Sequence, residues 1–313
     1  MAKKIYFRAD ADSQIGYGHF IRSLALADML KDDFDCVFVT KNPTEYQRKQ
    51  VNDICRLVEL PEEDSCFDLF LNMLGGDEIV VLDNYFYTKE YQLKIKQKGV
   101  KLVCIDDFRN REIFCDVLIN TSVSEMEQLP LVKAKYKLLG LSWSLLRKDF
   151  LIPISDKTES SLKRVVICFG GADELDLTRK ALSVVLREQN VVHIDVVVGA
   201  IKNKDNYLVD DRVNVYQNIA ASEMAKLLRM ADYCIVSTSG VALEAIAVGC
   251  KAYTGYYVDN QKELYNNLVL NRYVYGLGDL REQQLSLGQY SQPLKKINLS
   301  NQRERYIDIF KQL

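Results

Sequence analysis

The chain has 313 residues, of which 48 % are hydrophobic, long and apolar enough for two α/β domains of about 150 residues each. Its 41 basic and 43 acidic residues leave a formal net charge of -2. That balance excludes the basic excess by which nucleic-acid binders displace counterions. No run of about 18 apolar residues occurs, and MAKKIYFRAD at the start has no signal-peptide core, so a cytoplasmic protein without a membrane span is expected.

Strand and helix signals alternate along the chain. KIYFRAD (4–10) reads as a strand and HFIRSLALADMLK (19–31) as a helix. DCVFVT (35–40), EIVVLDNY (78–85), KLVCIDDF (101–108) and DVLINTS (116–122) read as further strands. Short, continuous apolar runs separated by helices predict parallel strands covered on both faces. Residues 140–163, with proline, serine and mixed charge, read as a linker. The pattern then restarts. RVVICFGGAD (164–173), NVVHIDVVVG (190–199), RVNVYQNI (212–219), DYCIVSTSG (232–240) and KAYTGYY (251–257) read as strands. LTRKALSVVLRE (177–188), ASEMAKLLRMA (221–231) and VALEAIAVG (241–249) read as helices. The fold expected is α/β, with two doubly wound Rossmann-like domains facing a cleft. Their bounds are 1–150 and 151–300, with a terminal helix over 301–313.

Eight cysteines form no CxxC pair, and there are only two histidines. Reduced, buried thiols and no metal site are expected. In open parallel sheets ligands bind beyond the carboxyl ends of strands, so polar residues there are the candidates. In RADADSQIGYGHFIRSLALA (8–27) a strand runs through a glycine loop into a helix. Gly16 and Gly18 permit positive φ and close backbone approach. The N–H groups of the helix start favour an anion such as a diphosphate. The same helix start disfavours imidazolium, leaving His19 able to accept a proton. Arg22, one turn on, could neutralise phosphate charge. Asp10 could position His19 or bind a sugar hydroxyl, or simply serve its own turn. Asp83, Asn84 and Tyr85 end one strand, and Asp106 and Asp107 end another. In the second half, Gly170 and Gly171 form a tight turn. Ser237, Thr238, Ser239 and Gly240 offer hydroxyls and N–H groups to phosphate, and Glu244 could hold ribose hydroxyls. His193 reads as a strand-interior residue.

These segments together resemble the UDP-sugar hydrolases of the pseudaminic-acid pathway, whose fold is that of the two-domain GT-B glycosyltransferases. The similarity lies in SQIGYGH (13–19), LDNY (82–85), IDD (105–107), LIN (118–120), GLSWSLLRKDF (140–150), FGGAD (169–173), STSGVALEA (237–245) and YVDNQ (257–261). The resemblance implies metal-independent hydrolysis of UDP-2,4-diacetamido-2,4,6-trideoxy-β-L-altrose by water. It implies His19 as base, Tyr85 as a supporting group, and Gly170, Gly171, Ser239, Gly240 and Glu244 as the nucleotide site. Asn260 and Gln261 would lie near the sugar or diphosphate. Many relatives carry histidine at the position of Asn84, so no second imidazole is implied here. No cofactor is expected, the partner is a small-molecule UDP-sugar, and the protein is expected to be a monomer. A GT-B glycosyltransferase would use the same UDP site, with His19 deprotonating an acceptor hydroxyl. A nucleotide-sugar binder without turnover would need no base at that position.

Overall fold

The computed structural model describes residues 2–11, 16–152, 160–170, 173, 175–199, 203–282, 285–288, 292–297 and 299–313. Contacts divide the chain into two compact units, one of Met1–Lys148 with Asn301–Leu313 and one of Asp149–Ser300. No helix of the described residues is long and apolar enough to cross a membrane.

The first unit contains β1 (Lys4–Arg8), α1 (Gly18–Leu30), β2 (Asp35–Lys41), α2 (Glu45–Asn52), β3 (Arg56–Leu60), α3 (Ser65–Asn72), β4 (Ile79–Leu82), α4 (Lys89–Gln97) and β5 (Lys101–Ile105). It continues with β6 (Ile113–Phe114), β7 (Val117–Asn120), β8 (Val132–Lys133) and β9 (Tyr136–Leu139). Seven strands form one parallel sheet in the order β3-β2-β1-β4-β5-β7-β9. Ile5, Phe7, Val37, Val39, Val80, Val81, Leu102 and Val103 have no exposed surface. Burial of both faces is why these strands read as unbroken apolar runs rather than alternating ones.

The second unit contains β10 (Lys163–Cys168), α5 (Leu177–Val185), β11 (Val191–Val198), β12 (Val213–Gln217), α6 (Ala221–Met230), β13 (Tyr233–Ser237), α7 (Gly240–Ala247), β14 (Lys251–Tyr256), α8 (Lys262–Leu270) and β15 (Tyr275–Asp279). Its sheet is also parallel, in the order β12-β11-β10-β13-β14-β15. Chain order reverses between β1 and β4 in one sheet and between β10 and β13 in the other. At such switch points the loops leave in opposite directions and open a crevice at the carboxyl edge.

The stretch 140–163, expected to be a linker, is more ordered at its start than its composition suggested. Residues Leu141–Trp143 and Lys148–Phe150 form short 3-10 turns. The first turn seats the last helix, α9 (Gln302–Lys311). Tyr306 packs edge-on to Trp143 with ring centroids 5.4 Å apart and donates its hydroxyl to the Trp143 carbonyl at 2.5 Å. The Arg305 guanidinium lies 3.8 Å over the indole, and Phe310 meets Phe34. Tyr306 and Phe310 are fully buried and Ile307 nearly so. Deleting residues 301–313 should therefore cost the first unit on the order of 5 kcal/mol of apolar burial. Trp143 is the chain's single tryptophan, so its fluorescence in a urea titration reports this seat. The truncated chain should show an earlier tryptophan transition while the second unit's transition stays in place.

Candidate active site

The first switch point gathers polar side chains from the ends of β1, β4, β5 and β7. Gly16 has φ +78°, the left-handed region that favours glycine. The helix α1 then begins at Gly18, one residue earlier than the apolar pattern predicts. Tyr17 at its N-cap makes no side-chain cap bond, and its first turn holds no acid. His19 is 7 % exposed, and its Nδ1 lies 2.7 Å from Oδ1 of Asp83, the residue after β4. Nδ1 also lies 3.2 Å from Arg22 Nη2, but that nitrogen makes its shorter bond, 2.6 Å, to Asp83. The 2.7 Å contact with a carboxylate, which only accepts, assigns the proton to Nδ1 and leaves the Nε2 lone pair to act as base.

Arg22 ties this pair to a second carboxylate. Its Nε and Nη2 donate to the two oxygens of Asp83 at 2.7 and 2.6 Å. Its Nη1 donates to both oxygens of Asp107 at 2.8 Å. Ser23 adds a bond to Asp83 at 3.0 Å. Asp107 also accepts from the hydroxyls of Tyr85 at 2.5 Å and Ser122 at 3.2 Å. The Tyr85 ring stands edge-on to the imidazole, with centroids 4.5 Å apart. Arg111 bonds the Tyr85 and Tyr87 carbonyls and the Asp106 carboxylate, lacing the β5 end to the loop that carries Tyr85.

Burial opposes the charge on Asp83, but the adjacent Arg22 guanidinium, and then His19, outweigh it and hold its carboxyl down at about 2. Burial likewise opposes the charge on Arg22, and Asp107 and Asp83 overcome it, raising its pKa. Because the folded value for Asp83 lies below the ordinary 3.8, its stabilising share is present above about pH 4 and lost as pH falls toward 2. That share is ~2 kcal/mol. Urea unfolding at pH 5 and pH 2.5 should show the loss in wild type and a smaller one in Asp83→Asn.

Several expectations change here. Arg22 was expected to meet phosphate; instead its donors are directed to two carboxylates. Asp10 was a candidate to position His19, but it turns inward. It pairs with Arg8 and accepts from the Lys41 N–H at 2.8 Å and the Thr40 hydroxyl at 3.2 Å, and Asp83 holds the imidazole. Asn84 is engaged with the Asp10 backbone, its side-chain amide accepting at 2.7 Å and donating at 3.2 Å. Ser23, Asp107, Arg111 and Ser122 complete the network. Of these only Asp107 carried a sequence signal, as half of the strand-end acid pair.

In the second unit the switch point offers two helix starts. Asp173 fills that of α5, accepting from the N–H groups of Leu177 at 2.8 Å and Thr178 at 3.0 Å. Helix α7 starts at Gly240 with no side-chain cap from Ser239. The Ala242 and Leu243 N–H groups donate to the Ser239 carbonyl at 3.0 and 3.4 Å, so the N–H groups of Gly240 and Val241 are the ones placed to meet an anion. Ser237 Oγ and Ser239 Oγ are 3.0 Å apart beside it, whereas Thr238 turns inward to Thr254 and the Gly255 carbonyl. Glu244 is buried one turn inside α7, and Gly170 holds φ +88° beyond β10. Gly171 lies outside the described residues. Asn260 and Gln261 sit on the short turn before α8, and the Gln261 side chain accepts from the Tyr257 N–H at 3.0 Å. His193 lies within β11, bonded to Asp195 at 2.9 Å and away from the carboxyl edge. Among the described residues no group of three or more His, Cys, Asp or Glu side chains is placed to hold a metal.

No protein-family model matches the chain. It is 27 % identical over 271 residues to a UDP-2,4-diacetamido-2,4,6-trideoxy-beta-L-altropyranose hydrolase of Campylobacter jejuni, covering 83 % of this chain and 93 % of that one. It is 24 % identical over 283 residues to an uncharacterized protein of Methanocaldococcus jannaschii, covering 84 % of this chain. The match spans 58 % of that archaeal protein, less than two thirds of its length. Among solved structures, the calicheamicin glycosyltransferase superposes with a TM-score of 0.60 at 12 % identity, over 99 % of this chain and 94 % of that one. With two parallel-sheet, Rossmann-like units, the chain has the fold of the GT-B glycosyltransferases.

Proposed function

We propose that the chain hydrolyses a UDP-linked deoxyamino sugar, of the UDP-2,4-diacetamido-2,4,6-trideoxy-β-L-altrose class, to UDP and the free sugar. The observation that carries this reading is the His19–Asp83 pair at the first switch point. It is a base held in one tautomer where a ligand of such a sheet would lie. The similarity to the Campylobacter jejuni hydrolase supports the substrate class.

In this reading the first unit acts on the sugar and the second holds UDP. Water gives a proton to His19 Nε2 while its oxygen attacks the anomeric carbon. The carbon–oxygen bond to the diphosphate breaks, and its electron pair leaves with UDP. N–H groups of the α7 start and the hydroxyls of Ser237 and Ser239 take up that charge. Glu244 holds ribose hydroxyls, with Gly170, Asn260 and Gln261 around the nucleotide. Two carboxylates and one guanidinium give the His19 network one net negative charge, which the arriving proton neutralises. Gly16, Gly18 and the α1 start let the backbone approach the sugar closely. The enzyme works as a cytoplasmic monomer on a small molecule, with neither metal nor nucleic acid.

The fold shared with the calicheamicin glycosyltransferase favours one rival, transfer to an acceptor hydroxyl. Incubation with the UDP-sugar, EDTA and no acceptor separates the two. Equimolar UDP and free sugar are expected. UDP that forms only when an acceptor alcohol is added would establish the transferase, and a requirement for a divalent ion would overturn the metal-free scheme.

A further inference from the structure

Arg111 enters no step of the scheme above, yet it holds two loops of the site together. Tyr85 and Phe86 form the turn after β4. Arg111 Nη2 donates to the carbonyls of Tyr85 and Tyr87, the latter at 3.2 Å. Its Nη1 donates to Oδ2 of Asp106 at 3.1 Å. Asp106 is 3 % exposed, and its Oδ1 accepts from the N–H groups of Asp107 at 2.7 Å and Phe108 at 2.9 Å. One buried carboxylate therefore shapes the loop after β5 and, through Arg111, the turn after β4.

The side chains carried by those two loops meet beside the imidazole. The Tyr85 hydroxyl donates to Asp107 at 2.5 Å, and its ring lies 4.8 Å from the Phe108 ring. The same Tyr85 ring stands edge-on to His19 at 4.5 Å. The bond to Asp83 fixes one atom of the imidazole; the tilt of the ring about that bond is restrained by what packs on it.

We infer that Arg111, anchored by Asp106, is a positioning residue that holds the Tyr85 ring against His19 and so keeps the imidazole in its working orientation. The inference rests on the hydrolase reading, in which His19 is the base, and names the residue that sets its geometry. Three acceptors on two loops suit the planar, rigid fork of a guanidinium, whereas the ammonium of a lysine is a point charge on a flexible stem. A displacement of about 1 Å at the reacting groups can cost about 10²-fold in rate.

The test compares Arg111→Ala and Arg111→Lys with wild type, each checked for folding by a thermal scan. Both should lose roughly 10- to 100-fold in kcat, with KM and UDP affinity within about threefold of wild type. Lysine keeps the charge and most of the stem, so that variant serves even if Arg111→Ala folds poorly. Wild-type turnover in Arg111→Lys, or a loss carried by KM instead of kcat, would overturn the inference. In a Tyr85→Ala background Arg111→Ala should cost little further turnover, and losses that multiply would count against a route through Tyr85. NMR of the histidine rings gives a reading without substrate. The chain has only two histidines, and His193 lies in the second unit, so it serves as an internal reference. The His19 signals should move in both Arg111 variants while those of His193 stay. Unmoved His19 signals would overturn the positioning whatever the activity. Moved signals in a protein whose wild type releases no UDP would support the positioning and sink the hydrolase reading.

Discussion

Replacing His19 by alanine is expected to slow UDP release by roughly 10²–10⁴-fold. The loss should fall on kcat, because in the scheme above the imidazole handles the proton of water, while UDP is held by the second unit. UDP affinity measured by calorimetry should stay within about threefold of wild type, since no nucleotide contact is removed. The ring is nearly buried, so a matching thermal scan must show that the variant is folded. Wild-type turnover in this variant would remove His19 from the mechanism and, with it, the observation on which the function rests.

Asp83→Asn should be as damaging, although it preserves shape. The amide can donate to Nδ1 and so favour the tautomer whose Nε2 already carries a proton. In a Ser-His-Asp triad the equivalent change costs about 10⁴-fold in kcat, and a loss of about 10³–10⁴-fold is expected here by the same chemistry. Arg22 also loses a carboxylate that it engages through two donors. Breaking a buried pair in this way costs about 3–5 kcal/mol, readable as a lower urea midpoint. Activity and stability can be separated with the double variant. If His19 and Asp83 act as one unit, Asp83→Asn in the His19→Ala background should lower the urea midpoint but cost little further activity. Multiplying activity losses would mean that Asp83 has a second role.

What could be read in the sequence followed from burial. The strands β1, β2, β4, β5, β10, β11 and β13 lie inside their sheets, so their runs are apolar on both faces and stand out. β3, with the sequence RLVEL, lies at an edge and is half exposed, and its pattern carried no such signal. β15 (YGLGD) contains two glycines and lies at the other sheet's edge. Helices α2, α3 and α4 are short and, apart from α3, strongly polar, so no long periodic stretch announced them. His19 was legible because its glycines and strand end are local. The partners of Arg22 were not, because Asp83 and Asp107 lie 61 and 85 residues away. Choosing between Asp10 and Asp83 as the imidazole's support required knowing that Arg8 turns inward and takes Asp10 with it. Both acids follow buried strands, and nothing along the chain ranks them.

The first unit is assembled from both ends of the chain, whereas the second is one continuous segment. During translation at about 5–20 residues per second, the roughly 150 intervening residues take about 8–30 s to appear. Through that interval the nascent first sheet lacks α9, so the side chains of Phe34 and Trp143 that receive it remain bare. The second unit needs nothing made later than Ser300. Of the two units, the one begun earlier is therefore completed later, and a nascent-chain chaperone would have its longest engagement at the Phe34–Trp143 surface.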